Sequence, residues 1–118
     1  MGGKNTREVG TAYEKGAVLF LQNKGYEIVQ CNFRCRQGEI DIIAKDGRYL
    51  VFVEVKYRHG TIAGWPEEAV GRQKQRRILQ TAKYYLYQNQ LPEDTPCRFD
   101  VVGIRGSKFS LIQNAFFS

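Results

Sequence analysis

Residues 38–57, GEIDIIAKDGRYLVFVEVKY, decide how the rest of the chain is interpreted. Two runs rich in β-branched and aromatic residues, 38–45 and 49–57, flank Asp46-Gly47, which is a two-residue hairpin signal. The spacing therefore predicts two antiparallel strands that are neighbours in one sheet. The second run is the more apolar, which is typical of a strand in the interior of a sheet.

Charged residues interrupt this apolar second run. Side chains alternate between the two faces of a strand, so the valines at 51, 53 and 55 share one face. Glu54 and Lys56 then share the other face with Phe52. In the first run, the same alternation places Glu39 and Asp41 on one face. It places Ile40 and Ile42 together on the opposite face.

The predicted hairpin gathers the charged side chains into one patch. Counting outward from the turn puts Asp41 opposite Phe52 and Glu54 opposite Glu39, with Lys56 close by. Clustered carboxylates raise one another's pKa, and a divalent cation removes that conflict. A bound cation and a neighbouring lysine provide the means to hydrolyse a phosphodiester. The same spacing also fits a solvated face with a cross-strand Glu–Lys salt bridge, so both interpretations stay open.

The remaining pattern predicts a mixed α/β or α+β layer structure. An amphipathic helix precedes the strands, and a second helix begins at Pro66 and ends near Gln88, before Pro92. A helix between the third and fourth strands permits a parallel crossover there. The predicted elements are helix 8–24, strands 26–34, 38–45 and 49–57, helix 66–88, and strands 97–105 and 108–113, the last two joined at Gly106-Ser107.

Each predicted helix has one charged residue on or near its inward side. Glu14 falls in line with the apolar face of the first helix, where a bare carboxylate is rarely kept. At the helix edge it would reach solvent instead. Lys74 is spaced by four from Val70 and from Ile78, so it lies along the inward stripe of the second helix. It could also extend its ammonium to solvent.

The bulk composition indicates a globular protein with a polyanionic partner. The chain has 118 residues, enough for one domain over 1–118 with 1–7 flexible, and its net charge is +6. No apolar run is long enough for a membrane span, and no secretory signal is recognisable. Three cysteines, an odd number, predict reduced, buried or half-buried thiols in a cytoplasm. Cations accumulate around the carboxylates, as a phosphate backbone requires, or form a plain solvated basic helix: Arg34, Arg36, Arg48, Arg58, Arg72, Arg76, Arg77 and Lys83.

Gly38-Glu39-Ile40-Asp41 followed by Phe52-Val53-Glu54-Val55-Lys56-x-Arg58 resembles the YraN-type, endonuclease-like family of bacterial proteins. That family belongs to the PD-(D/E)XK, restriction-endonuclease-like superfamily and lies near the archaeal Holliday-junction resolvases. Ile40 stands where the superfamily's name pattern has proline, as is usual in this branch. The resemblance extends to Gly10, Glu14, Asn32, Lys74-Gln75-Arg76-Arg77, and Arg98-Phe99-Asp100-Val101-Val102.

The resemblance implies an α/β fold, namely a restriction-endonuclease-like αβββαβ core with a mixed five-stranded sheet flanked by helices. It implies Asp41 and Glu54 as ligands of Mg²⁺ or Mn²⁺, with help from the carbonyl of Val55, and Lys56 as the catalytic lysine. Glu14 matches a first-helix glutamate that some members add to the metal site. The basic residues predicted to contact nucleic acid are Arg58, Arg72, Lys74, Arg76 and Arg77.

Three functions are compatible with this pattern. The first is a metal-dependent DNA endonuclease, with branched or recombining DNA among its candidate substrates. The second is a non-catalytic nucleic-acid-binding or scaffold protein on a nuclease fold. The third, a protein-interaction adaptor, is suggested only by the aromatic tail at Phe116 and Phe117. Related resolvases dimerise, so a homodimer is a further expectation.

Overall fold

The computed structural model describes residues 6–58 and 70–116, with side chains from 12 to 57 and from 70 to 116. Two helices and five strands make up this part of the chain, in the order α, β, β, β, α, β, β. The predicted α/β class with its αβββαβ core is confirmed. The elements are α1 (Thr6–Asn23), β1 (Glu27–Cys35), β2 (Gly38–Asp46), β3 (Tyr49–Arg58), α2 (Arg72–Gln88), β4 (Cys97–Arg105) and β5 (Lys108–Ile112).

The five strands form one mixed sheet in the order β1-β2-β3-β4-β5. β3 is the central strand, as its apolar composition predicts. It pairs with β2 in antiparallel and with β4 in parallel orientation, and the other two pairings are antiparallel. The parallel pair is connected through α2, because parallel neighbours need a long crossover. The predicted crossover is therefore confirmed.

One helix covers each face of the sheet, so there are two apolar cores. α1 packs Ala17 and Leu21 against the face that carries Val51 and Val53. α2 packs Ile78 and Tyr85 against the opposite face. There the rings of Phe33, Phe52 and Phe99 surround Tyr85 or stack on one another. Within the described ranges, neither helix is long and apolar enough to cross a bilayer.

The β2–β3 register differs from the predicted one. Asp46 pairs with Tyr49, so the two loop residues are Gly47 and Arg48 rather than Asp46 and Gly47. Gly47 has φ +60°, which a two-residue hairpin with glycine in its first loop position requires. Asp46 stays in the strand, where Arg98 Nη2 binds its carboxylate at 2.7 Å.

The corrected register changes which residues face each other across β2 and β3. Ile42 pairs with Val53, so extending the ladder by one residue brings Asp41 level with Glu54. The predicted pairs, Asp41 with Phe52 and Glu54 with Glu39, are wrong.

The predicted faces of β2 also need correction. Ile40 packs in the core under α2 and Ile42 in the core under α1, so they do not share a face. Their partners on β1, Phe33 and Cys31, are divided between the cores in the same way. Asn32 lies between them with φ +55°, and this left-handed residue breaks the alternation of the hairpin.

α2 begins later than predicted. Gly71 is extended (φ −72°, ψ 163°) and caps α2, so this helix begins at Arg72 and the predicted helix over 66–88 does not continue through Gly71. Residues 66–69 of the predicted helix lie outside the described part of the chain. The predicted end at Gln88 is confirmed, and Gln90 leaves the helix with φ +57°.

A buried polar network holds the far end of the sheet. Asp100 on β4 is fully buried and binds Arg98 at 3.0 Å. It also accepts hydrogen bonds from the Tyr26 hydroxyl (2.6 Å) and from the main-chain N–H of Asn114 (2.9 Å). Buried charges are retained when they are paired and hydrogen-bonded in this way. The network ties β4 to the residues that follow α1 and β5.

Candidate active site

Asp41 and Glu54 lie side by side on β2 and β3. Asp41 Oδ2 accepts a hydrogen bond of 2.7 Å from the main-chain N–H of Val55, the residue after Glu54. The carboxyl groups of Asp41 and Glu54 also lie within hydrogen-bonding range of each other. Glu54 is only 7% exposed, whereas Asp41 is half-buried. The two predicted metal ligands are therefore in direct contact.

The environment of Glu54 disfavours its negative charge. Burial is the largest cause that raises the pKa of Glu54, to about 8, and the charge of Asp41 and the hydrogen bond with Asp41 raise it further. Lys74 opposes the shift, since its Nζ lies 3.1 Å from Glu54 Oε1. A cation bound between the two carboxyl groups would offset their repulsion and favour the ionised form of Glu54.

Lys74 reaches this pair from α2. It lies one turn before buried Ile78, and its inward orientation agrees with their spacing of four residues. Its side chain is 44% exposed, so the ammonium lies at the edge of the site. The salt bridge between Glu54 and Lys74 therefore links β3 to α2.

Gly38 sets the close approach of α2 to β2. A Cβ at this position would lie 3.0 Å from Thr81 Oγ1, and its φ of +153° also favours glycine. The resulting contact brings Lys74 and Arg77 over the ends of β2 and β3. Between them is a cleft of about 440 Å³. Its lining residues are Arg34, Cys35, Gly38, Glu39, Glu54, Lys74, Arg77 and Ile78.

Glu14 approaches the site from α1. It accepts a hydrogen bond of 2.6 Å from Asn32 Nδ2. Burial raises the pKa of Glu14, the Asn32 hydrogen bond lowers it, and the charge of Asp41 raises it. Asp41 is therefore within electrostatic range of Glu14. The sequence did not predict that Asn32 orients Glu14; the available signal was the tolerance of asparagine for left-handed conformations.

Other predicted site residues are distributed more widely. Lys56 is half-buried, and the alternation of β3 places it on the face of Glu54. Arg77 lines the cleft, whereas Arg72 and Arg76 are exposed on α2 outside its lining. Arg58 ends β3, and its side chain lies outside the described part of the structure, as does Phe117.

The donor set fits a hydrated Mg²⁺ or Mn²⁺ ion. No three carboxylate, histidine or cysteine side chains come together as a metal-binding group among residues whose placement is described. Mg²⁺ does not need such a group, because it usually takes one or two carboxylates and keeps several waters. Asp41 and Glu54 supply two hard oxygen donors, and the pKa of Glu54 is raised first by burial and then by the negative charge of Asp41.

The cysteines and the aromatic residue near the end of the described chain lie in or beside the protein's own core. Cys31, Cys35 and Cys97 are half-buried free thiols, as predicted. The ring of Phe116 stacks on Phe99 with a centroid distance of 5.5 Å, so this tail residue packs against the protein's own core. Phe116, one of the two residues that suggested an adaptor, is therefore engaged within the protein itself.

The fold is a restriction-endonuclease-like α/β core with an acidic pair on adjacent strands. Comparison with known proteins then identifies the family. Residues 13–104 match the model of the uncharacterised protein family UPF0102, and the chain belongs to this family, a member of the restriction-endonuclease-like superfamily. The predicted YraN-type resemblance is confirmed.

Curated relatives match along nearly the whole chain. A UPF0102 protein of Lachnoclostridium phytofermentans is 55% identical over 112 residues, which cover 95% of each chain. One from Caldicellulosiruptor saccharolyticus is 45% identical over 118 residues, covering 95% of this chain and 99% of the relative. One from Thermodesulfovibrio yellowstonii is 46% identical over 110 residues, covering 93% and 96% respectively.

Proposed function

We propose that this protein is a metal-dependent endonuclease that hydrolyses phosphodiester bonds in DNA, with branched or recombining DNA among its substrates. The supporting observation is the contact between the carboxyl groups of Asp41 and Glu54, the latter almost fully buried. An acidic pair at the base of a cleft lined by cations suits a divalent ion that meets a phosphate. A purely structural site would gain little from two touching carboxyl groups.

Asp41 and Glu54 would hold Mg²⁺ or Mn²⁺, with the Val55 carbonyl and Glu14 as further oxygen donors. When bound, the ion supplies Lewis-acid stabilisation of phosphate charge and a means of generating hydroxide near neutral pH. The Val55 N–H holds the Asp41 carboxylate in one orientation at 2.7 Å. This hydrogen bond from the main chain of β3 holds Asp41, one of the two proposed metal ligands, in place.

The lysines have separate roles in the proposed reaction. Lys56 follows Glu54 on the same strand face, where it can take a proton from the attacking water or offset charge on the phosphate. Lys74 neutralises Glu54 in the metal-free protein and can turn to a phosphate once a cation takes its place. Arg77, on the next turn of α2, would contact the adjacent phosphate.

The alternative is a non-catalytic nucleic-acid-binding or scaffold protein. One observation favours it: Lys74 Nζ lies 3.1 Å from Glu54, so the protein already provides one cation for the acidic pair. In that case the basic surface would bind phosphates without hydrolysis. A homodimer and a cytoplasmic location stay predictions under either function.

Cleavage assays with matched variants distinguish the two functions. Purified protein would be incubated with linear, nicked, flapped and four-way DNA in Mg²⁺, Mn²⁺ or EDTA. The nuclease function predicts metal-dependent cleavage that Asp41→Ala and Glu54→Ala abolish, whereas Glu27→Gln, an exposed carboxylate on β1, retains it. Calorimetric titration with Mn²⁺ should show a site in the wild type that Asp41→Ala removes. No cleavage of any substrate, with unchanged DNA binding by both alanine variants, would support the scaffold instead.

A further inference from the structure

The outward side of α2 is a continuous stripe that runs beyond the proposed active site. At 3.6 residues per turn, seven positions fall within about 120° of one another, opposite the buried side through Ile78 and Tyr85. Six are exposed and Tyr84 is half-buried. The residues of this outer stripe are Gln73, Arg76, Arg77, Gln80, Lys83, Tyr84 and Tyr87.

The outer stripe has an uncompensated positive charge. α2 contains Arg and Lys residues along its length and neither Asp nor Glu. Among the described residues, Arg76, Arg77 and Lys83 form no ion pair, whereas Lys74 on the inner side is bound to Glu54. The cations of the outer stripe are therefore available to a polyanion.

Three neighbouring depressions follow α2 away from the carboxylates. The active-site cleft includes Arg77, and the next depression is formed by Gln80, Lys83 and Tyr84 with Gln37 from the β1–β2 turn. The third, a groove of about 740 Å³, shares Lys83 and continues past Tyr87. From Arg77 to Tyr87 the helix rises about 15 Å, enough length for a few nucleotides.

The far end of the outer stripe is aromatic. Tyr87 is 80% exposed, and its ring lies 6.3 Å from that of Tyr84. Leu86 and Leu91 give the adjoining groove an apolar floor. Glu93 also lines this groove, and its charge would keep a phosphate on the Lys83 side. Cations followed by accessible aromatic rings match the combination that holds phosphates and unstacked bases.

We propose that the outer stripe binds an unpaired nucleic-acid strand, with phosphates at Arg77 and Lys83 and bases stacked on Tyr84 and Tyr87. The bases of a duplex are already stacked and paired, so a duplex would contact the cations but would not stack a base on Tyr84 or Tyr87. Binding of the strand at this site does not depend on the proposed nuclease function; only the cleavage of the bound strand does. Together they specify a substrate with an unpaired segment beside the bond that is cut.

A binding experiment without divalent metal tests this site independently of catalysis. Fluorescence anisotropy in EDTA would compare a labelled 15-nucleotide oligothymidylate with a blunt 15-base-pair duplex. Tyr87→Ala should weaken binding of the oligothymidylate about 5- to 100-fold, the usual range for loss of one stacked base, and leave duplex binding within about twofold. Tyr87→Phe should bind like the wild type because it keeps the ring. Leu19→Ala on α1, which truncates another exposed apolar side chain (62% exposed), is the matched control.

Three results would overturn the proposal. These are no oligothymidylate binding by the wild type, equal affinity of Tyr87→Ala and wild type for it, or an equal loss of duplex affinity. A fourth result would also overturn it. If sedimentation shows a wild-type dimer that Tyr87→Ala converts to a monomer, the groove binds a second copy of the chain instead of a nucleic-acid strand. If the variant loses strand binding but no substrate is ever cut, the strand site stands and the nuclease function fails.

Discussion

Replacing Glu54 with glutamine should remove a pH-dependent loss of stability. Glu54 is almost fully buried against Asp41, and its pKa is raised to about 8 from an ordinary value of 4.5. Between these values the folded protein holds a proton that the unfolded chain releases. The free energy of unfolding therefore falls as pH rises from about 4.5 to about 8, and is lower above that range.

The magnitude follows from the same shift. At about 1.4 kcal/mol per pKa unit, the difference between 4.5 and about 8 corresponds to roughly 5 kcal/mol. This is an upper limit, because Asp41 and Lys74 adjust when the charge on Glu54 changes. Glu54→Gln keeps the shape and hydrogen-bonding capacity of the side chain without the charge. At pH 5 its stability should be within about 1 kcal/mol of wild type, and by pH 8.5 it should exceed wild type by about 2–5 kcal/mol.

Urea unfolding followed by circular dichroism at several pH values between 5 and 8.5, in EDTA, measures this difference. Glu39→Gln is the matched control, because Glu39 lies in the same cleft but is half-exposed and paired with Arg34. Its stability curve should run parallel to that of wild type. Excess Mn²⁺ at pH 8.5 should restore the wild type by about 2.7 kcal/mol at one hundred times Kd, and Glu54→Gln by less. A constant difference between wild type and Glu54→Gln across the pH range would refute the reasoning.

Three further predictions concern other parts of the molecule. Lys56→Ala should lower the cleavage rate roughly 10²–10⁴-fold in single-turnover assays and leave DNA affinity nearly unchanged, since one positioned group is lost; a parallel loss of affinity would contradict a role in the reaction. Replacing Arg76 and Arg77 together by glutamine should reduce the slope of log affinity against log salt by about two, measured by anisotropy; an unaltered slope would locate the phosphates elsewhere. Asp100→Ala should lower the free energy of unfolding by about 3 kcal/mol, because it removes one partner of a buried ion pair, whereas exposed Asp94→Asn should change it little; urea unfolding that gives equal values would disprove the importance of the network.

Much of the fold is predictable from local pattern. The β3 and β4 stretches show their strand character in β-branched and aromatic residues, and their predicted ranges agree with the observed ones within a residue. The α2 boundary was harder to predict. The proline at position 66 predicts one helix that continues to Gln88, but Gly71 is extended and α2 begins only after it.

The residues of the candidate site could be proposed from the sequence, but their contacts could not. Asp41 and Glu54 stand out in sequence because charge is rare on strands so apolar. The hairpin signal showed that β2 and β3 are neighbours, but placed the turn one residue early. In the observed register Asp46 stays in β2, where Arg98 of β4 binds its carboxylate, and this long-range ion pair leaves no local signal in the hairpin sequence.

The sequence by itself determined the element order and the central position of β3, because both depend on short-range periodicity and composition, whereas the choice of Asp41 and Glu54 came from the family resemblance. Only the tertiary structure decided that Asp41 touches Glu54 and that Lys74 pairs with Glu54. It alone placed Tyr87 in line with the cleft along α2. Such contacts join residues distant along the chain, so they depend on the register of the hairpin and the close approach at Gly38. A shift of two residues in that register would leave the composition unchanged and separate the acidic pair.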